Sequence, residues 1–199
     1  MTQSAPKPPI VENARFPSGP LPPRAGAGLK TDHVDSILAD DYRIGFLEVH
    51  AENYMGEGGP AHRALAAIRS EFPLSVHGVG LSIGSEEGID TAHLERLARV
   101  VDRYQPSMVS EHLAWSSHDA GYFNDLLPVP YDRQTLDRVV AHISQIQDRL
   151  RRPILLENPS TYVAFEQSTM IRSPSFDCAV SARSGSISPT ERLWNMSSS

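Results

Sequence analysis

Four short apolar runs in this chain end in a histidine or a glutamate, and this recurrence constrains the fold more than any other feature. The runs are Ile44–His50, Pro73–His77, Ser107–Glu111 and Pro153–Glu157. Each is short, mostly apolar and followed by a loop, as a strand buried on both faces should be. Between them lie stretches with helical spacing. Pro60 suits the first position of a helix reaching about Phe72, with Leu65, Ile68 and Phe72 on one stripe. Asp90 or Thr91 caps a second helix, in which Leu94, Leu97, Ala98, Val101 and Tyr104 recur at three-four spacing. A third helix spans about Asp132 to Leu150, with Leu136, Val139, Val140, Ile143, Ile146 and Leu150 on its apolar face.

Upstream, Arg24–Leu29 reads as a small-residue strand or tight turn, and Asp32–Ala39 as a short helix with Asp32 as its possible cap. The order is therefore β-α-β-α-β-α-β-α-β. Strands alternating with helices imply right-handed crossovers and a parallel sheet. A Gly-x-Gly-x-x-Gly turn after the first strand, a Walker loop and a Gly-x-Ser-x-Gly elbow are all missing. Dinucleotide binding, P-loop chemistry and serine hydrolysis lose support accordingly. The stretch between Glu111 and Asp132 reads as a long loop carrying Trp115, His118, Tyr122, Phe123 and Asp125.

Three segments follow from this reading. Residues 1–23 hold seven prolines and form an extended arm; residues 24–170 form the fold; residues 171–199, with nine serines and no periodicity, read as a disordered tail. A net charge of -6 argues against a nucleic-acid or anionic-membrane surface. Cys178 is the one cysteine, so no internal disulfide is expected. With no apolar run of membrane length and no signal-peptide core, the expected location is cytoplasmic.

The chemistry gathers at the C-terminal ends of the strands, where α/β barrels carry their active sites. Alternation along a strand puts His50 on the face of Glu48, His77 on that of Ser75, Glu111 on that of Val109 and Glu157 on that of Leu155. The reading sends Val49, Val76 and Leu156 to the helices and the polar groups to a barrel interior. Two imidazoles and two carboxylates there suit iron, manganese or zinc. Singly, each residue is as well explained by a hydrogen bond or an ion pair; the convergence of four makes metal binding the better reading. His112, next to Glu111, either supports a ligand from behind or packs in the core. Asn53 and Asn158 lie just past their strands and serve either a ligand or a turn. His33, His62, His93, His118 and His142 have no partner evident in sequence, and most of them are expected at the solvated surface.

The segments Phe46–Met55 (FLEVHAENYM), Leu74–Ser82 (LSVHGVGLS), Val109–Trp115 (VSEHLAW), Asp125–Pro130 (DLLPVP) and Leu155–Ser160 (LLENPS) resemble the multinuclear non-haem iron-dependent oxidases, the family of the methanobactin biosynthesis protein B. The resemblance spans about Leu21 to Met170. It implies a TIM-type barrel with two or three iron ions, acting with oxygen on cysteines of a ribosomally made precursor peptide that a separate partner protein presents. It also implies that His50, His77, Glu111 and Glu157 are metal ligands, with Asn158 a weaker one. The family continues with a strand ending in an Asp-Val-Asn-Asn type motif and with further histidines, which this sequence lacks. The expectation is thus about the first five βα units of a barrel, with a frameshift or premature stop behind the tail. Two other readings stand beside it: a divalent-metal sugar isomerase or endonuclease on a related barrel, and an inactive fragment or binding module completed by a partner.

Overall fold

The computed structural model describes residues 20–39, 43–118, 121–157, 165, 166 and 168, with only the backbone for 117, 118 and 121–124. Nearly all of the 1–23 arm, Asn158 and the 171–199 tail therefore lie outside the described residues. Among the described residues, thirteen elements follow one another. β1 is Ala27–Gly28, and a 3-10 turn at Thr31–His33 leads into α1, Val34–Ala39. β2 (Leu47–His50) runs into a second 3-10 turn at Ala51–Tyr54, and α2 is Pro60–Glu71. β3 is Leu74–His77, α3 Thr91–Tyr104 and β4 Met108–His112. β5 (Trp115–His118) and β6 (Gly121–Leu127) precede α4 (Arg133–Leu150) and β7 (Leu155–Glu157).

The main sheet has the order β1-β2-β3-β4-β7 and is parallel throughout. Its strands stand side by side in chain order, with no reversal of the kind that creates the crevice of a doubly wound sheet. A sheet that adds each new strand at the same edge, with a helix in every crossover, is the sheet of a (β/α) barrel. The fold is α/β with five parallel strands of TIM-type arrangement. The core lies between sheet and helices. Val49, Val76, Val109 and Leu156 pack against Leu94, Leu97, Val101, Val139, Ile143 and Ile146 in one buried cluster. A smaller cluster joins Val34 and Ile37 of α1 to Leu47 and Ile68. The apolar stripes expected for α3 and α4 are the buried ones, with Val140 only partly covered.

Helix starts follow local chemistry. Asp90 caps α3 by accepting from the Ala92 and His93 amides, and Asp132 caps α4 by accepting from Thr135. Pro60 opens α2 as expected. Asp32 does not cap; it lies within the 3-10 turn, whose preceding residue is Lys30. Another difference is larger. The stretch after Glu111 is not simply a loop but an antiparallel hairpin, β5 with β6, pairing Trp115 with Leu127 and His118 with Gly121. Its strands, Trp-Ser-Ser-His and Gly-Tyr-Phe-Asn-Asp-Leu-Leu, lack a clean alternation, so periodicity could not reveal it.

Candidate metal centre

Register decides which side chains meet. β2, β3 and β4 align His50 with His77 and His77 with Ser110. β4 and β7 align Ser110 with Leu155, Glu111 with Leu156 and His112 with Glu157. Aligned residues of a parallel sheet share a face. One face therefore carries His50, His77, Ser110, His112 and Glu157; the other carries Val49, Val76, Val109, Glu111 and Leu156, and is covered by the helices.

The sequence reading had placed Glu111 among the inward groups, and here the structure corrects it. β4 runs one residue further than expected, to His112, and Val109 sits beside Val76 on the helix side. A shift of one residue exchanges the two faces of a strand, so His112 stands where Glu111 was expected. The signal was present in the sequence. Val49, Val76 and Val109 are equivalent core valines, and reading β4 in phase with them sends Glu111 outward and His112 inward.

His77, His112 and Glu157 each offer a ligand atom, and these atoms lie within 4.8 Å of one another. The imidazoles are edge to face, their centroids 4.5 Å apart, and His112 Nε2 lies 3.8 Å from Glu157 Oε1. His50 adds a ring whose centroid is 5.5 Å from that of His77. The structure thus brings His50, His77 and Glu157 together and adds His112. Asn158 lies outside the described residues.

Two features prepare this cluster for a cation. The His77 Nδ1 shares a 2.8 Å hydrogen bond with the Ser110 hydroxyl, which fixes the ring and leaves its other nitrogen for a ligand. The His112 Nδ1 is buried and has no hydrogen-bond partner among the described residues. Burial, and next the neighbouring His77, push the His112 imidazole below its ordinary range, against the opposing pull of Glu157. A neutral imidazole is the form that binds metal. Two imidazoles and a carboxylate fit a first-row divalent ion.

Behind His77, two carboxylates hold the loop that follows β3. Glu111 is fully buried and accepts from the Leu81 and His112 amides at 3.3 and 3.0 Å. Burial, and then the negative charge of Glu52, raise its carboxyl to about 8. Glu52 Oε1 accepts from both Val79 and Gly80 at 3.0 Å, with His93 Nε2 at 3.4 Å. Burial opposes its ionisation, but His93 and the Val79 amide prevail and bring it down to about 2. The two adjacent acids are thus pushed in opposite directions. Glycine is required beneath them: a Cβ on Gly78 would stand 2.4 Å from Glu111 Oε1, and one on Gly80 2.5 Å from the His93 ring. Sequence reading missed Glu52 and saw no partner for His93. His62 and His142 are likewise anchored, to Gly56 O at 3.0 Å and Ile83 O at 2.8 Å.

A family model described as "RiPP precursor modification enzyme MbnB/TglH/ChrH" matches residues 24–187. The chain belongs to the MbnB/TglH/ChrH family. The match runs beyond Met170, where the sequence reading had ended the resemblance. A UPF0276 protein of Paraburkholderia phytofirmans is 61% identical over 145 residues, which is 73% of this chain and 47% of that protein. A UPF0276 protein of Bordetella pertussis is 51% identical over 172 residues, 86% of this chain and 59% of that one. This MbnB/TglH/ChrH chain thus spans about half the length of the curated relatives it matches. Among solved structures, a D-psicose 3-epimerase crystallised in the presence of D-fructose superposes with a TM-score of 0.52 at 14% identity, covering 82% of this chain and 60% of that one. At that identity the likeness shows the barrel fold alone. Among the described residues, no helix is long and apolar enough to cross a membrane.

Proposed function

We propose that this chain carries part of the metal centre of an iron-dependent oxidase that modifies cysteines of a ribosomally made precursor peptide presented by a partner protein. The observation that supports it most is the convergence of His77, His112 and Glu157 at the C-terminal ends of neighbouring parallel strands. His77, His112 and Glu157 would hold a metal, with His50 beside them. Family resemblance adds Asn158 as a further ligand, whereas Glu111, on the opposite face of β4, holds the loop after β3. When bound, iron supplies the redox capacity for oxygen-dependent chemistry on a thiolate. The chain's own residues do the positioning. Ser110 sets the His77 ring, burial keeps His112 neutral, and Glu52 and Glu111 hold the loop that leaves His77.

The test is anaerobic reconstitution with ferrous iron, followed by metal analysis and Mössbauer spectroscopy. The expected result is stoichiometric iron that His77→Ala and His112→Ala each reduce by tenfold or more in affinity, in line with losing a ligand or its support. Oxygen uptake with a cysteine-containing peptide then tests the reaction. Retention of manganese or zinc with no oxygen uptake would move the reading to the isomerase-type barrel.

A further inference from the structure

Beside the candidate metal centre lies a cavity of about 600 Å³, whose lining includes none of the metal-binding histidines. Its walls come from the β3–α3 loop, the start of β5 and the approach to α4, with Phe165 contributed after β7. Trp115 follows His112 by three residues, so their Cα atoms are at most about 11 Å apart along an extended chain. An extended peptide covers such a span in about three residues.

The lining has two kinds of surface. Trp115, Val129, Pro130 and Phe165 form an apolar portion. The Trp115 indole N–H donates to the Pro128 carbonyl at 2.8 Å, which fixes the ring. Among the described residues, the polar portion sets three carboxylates, Glu86, Glu87 and Asp132, against one guanidinium, Arg138. That guanidinium is itself held by Glu86 at 3.4 Å. The field in the cavity therefore favours a cation.

A long aliphatic stem ending in a positive charge matches both surfaces. The stem packs on the apolar walls, and the charge meets the carboxylates and the indole face. We propose that this cavity binds a lysine or arginine side chain of the peptide substrate, a few residues from the one that reacts. The proposal rests on the peptide-modifying reading above.

The test uses the metal-free full chain labelled at tryptophan nitrogen. The probe is N-acetyl-Ala-Lys-Ala-amide, with the norleucine peptide of equal stem length as its control. Trp115→Phe assigns the Trp115 indole signal against that of Trp194. The expected result is a saturable shift of the Trp115 signal by the lysine peptide, with affinity at least about fivefold above that of norleucine. Glu86→Gln with Glu87→Gln, both at exposed positions, should weaken it by about tenfold, and 0.5 M salt should weaken it further. Equal binding of norleucine, no shift with the lysine peptide, or indifference to the double substitution would overturn the proposal. Because the measurement needs neither iron nor turnover, it separates the two readings. A chain that binds no iron but takes the lysine peptide loses only the oxidase reading; one that binds iron and ignores the peptide loses only the cavity.

Discussion

At the residue scale, the tightest constraint near the candidate site is steric. Gly78 follows His77 directly, and its missing side chain is the space that the buried Glu111 carboxylate fills. Gly78→Ala should destabilise the fold by about 1–3 kcal/mol through overpacking, read from denaturant melts of the metal-free chain. In a Glu111→Ala background the same change should cost little, because the clash is gone; equal costs in both backgrounds would show that the contact is not limiting. A second residue-scale case is Arg69. Its guanidinium lies inside the molecule and donates to Tyr104 O at 2.8 Å and Gln105 O at 3.1 Å, the carbonyls at the end of α3. Arg69→Met keeps the stem and removes the donors, leaving those acceptors short of partners. About 1–3 kcal/mol of stability should be lost, visible as an earlier urea midpoint with an unchanged slope. Such roles are poorly legible in sequence. Nothing local distinguishes Arg69 from the solvated Arg63 on the same helix, because its partners are contributed by another helix.

At the element scale, the seam between α2 and α3 carries a pH response. His62 sits on α2 and its Nε2 reaches the Gly56 carbonyl, while Arg103 Nη1 of α3 lies 2.7 Å from Nδ1. The carbonyl can only accept and the guanidinium only donate, so the ring is neutral, with its proton on Nε2. Burial, then the Arg103 charge, depress its protonation below the ordinary imidazole range. In the unfolded chain that opposition vanishes, and the unfolded state binds more protons below about pH 6.5. Stability should therefore be full above that pH and decline as pH falls toward the folded value. His62→Gln should flatten this part of the profile in a series of melts between pH 7.5 and 5; an unchanged slope would place the response elsewhere. The helix faces themselves were readable. The stripe Leu94, Leu97, Ala98, Val101, Tyr104 and the cap at Asp90 were evident from spacing and side-chain chemistry, and the structure buries that stripe and bonds that cap. Asp90→Ala should cost about 1 kcal/mol in thermal or chemical melts, since two amides of the first turn lose their acceptor. The β5–β6 hairpin was not readable, because its pairing is between strands and its sequence carries no two-residue period.

At the scale of the whole molecule, a bound ion should couple the strands that supply its ligands. β3, β4 and β7 each contribute one group to the His77, His112 and Glu157 cluster, so an ion bound there favours the folded chain over the unfolded one. With free ferrous iron at a hundredfold its dissociation constant, the gain is about 2.7 kcal/mol, roughly 5–10 °C in Tm for a chain of this size. Anaerobic melts with and without iron check this, and His77→Ala with His112→Ala should abolish the difference. The parallel α/β order and the strand ends at His50, His77 and Glu157, with their polar character, were determined by the sequence alone, because strands, helices and their caps answer to local spacing and side-chain chemistry. Val109 offers a clue to the phase of β4, but its pairing with β3 is what fixes it. Whether Glu111 or His112 faces inward depends on which residue of β4 pairs with His77, and that pairing is a contact between segments more than thirty residues apart. The same holds for the opposite shifts of Glu52 and Glu111, since only the tertiary structure buries one carboxyl completely and sets His93 and the Val79 amide beside the other.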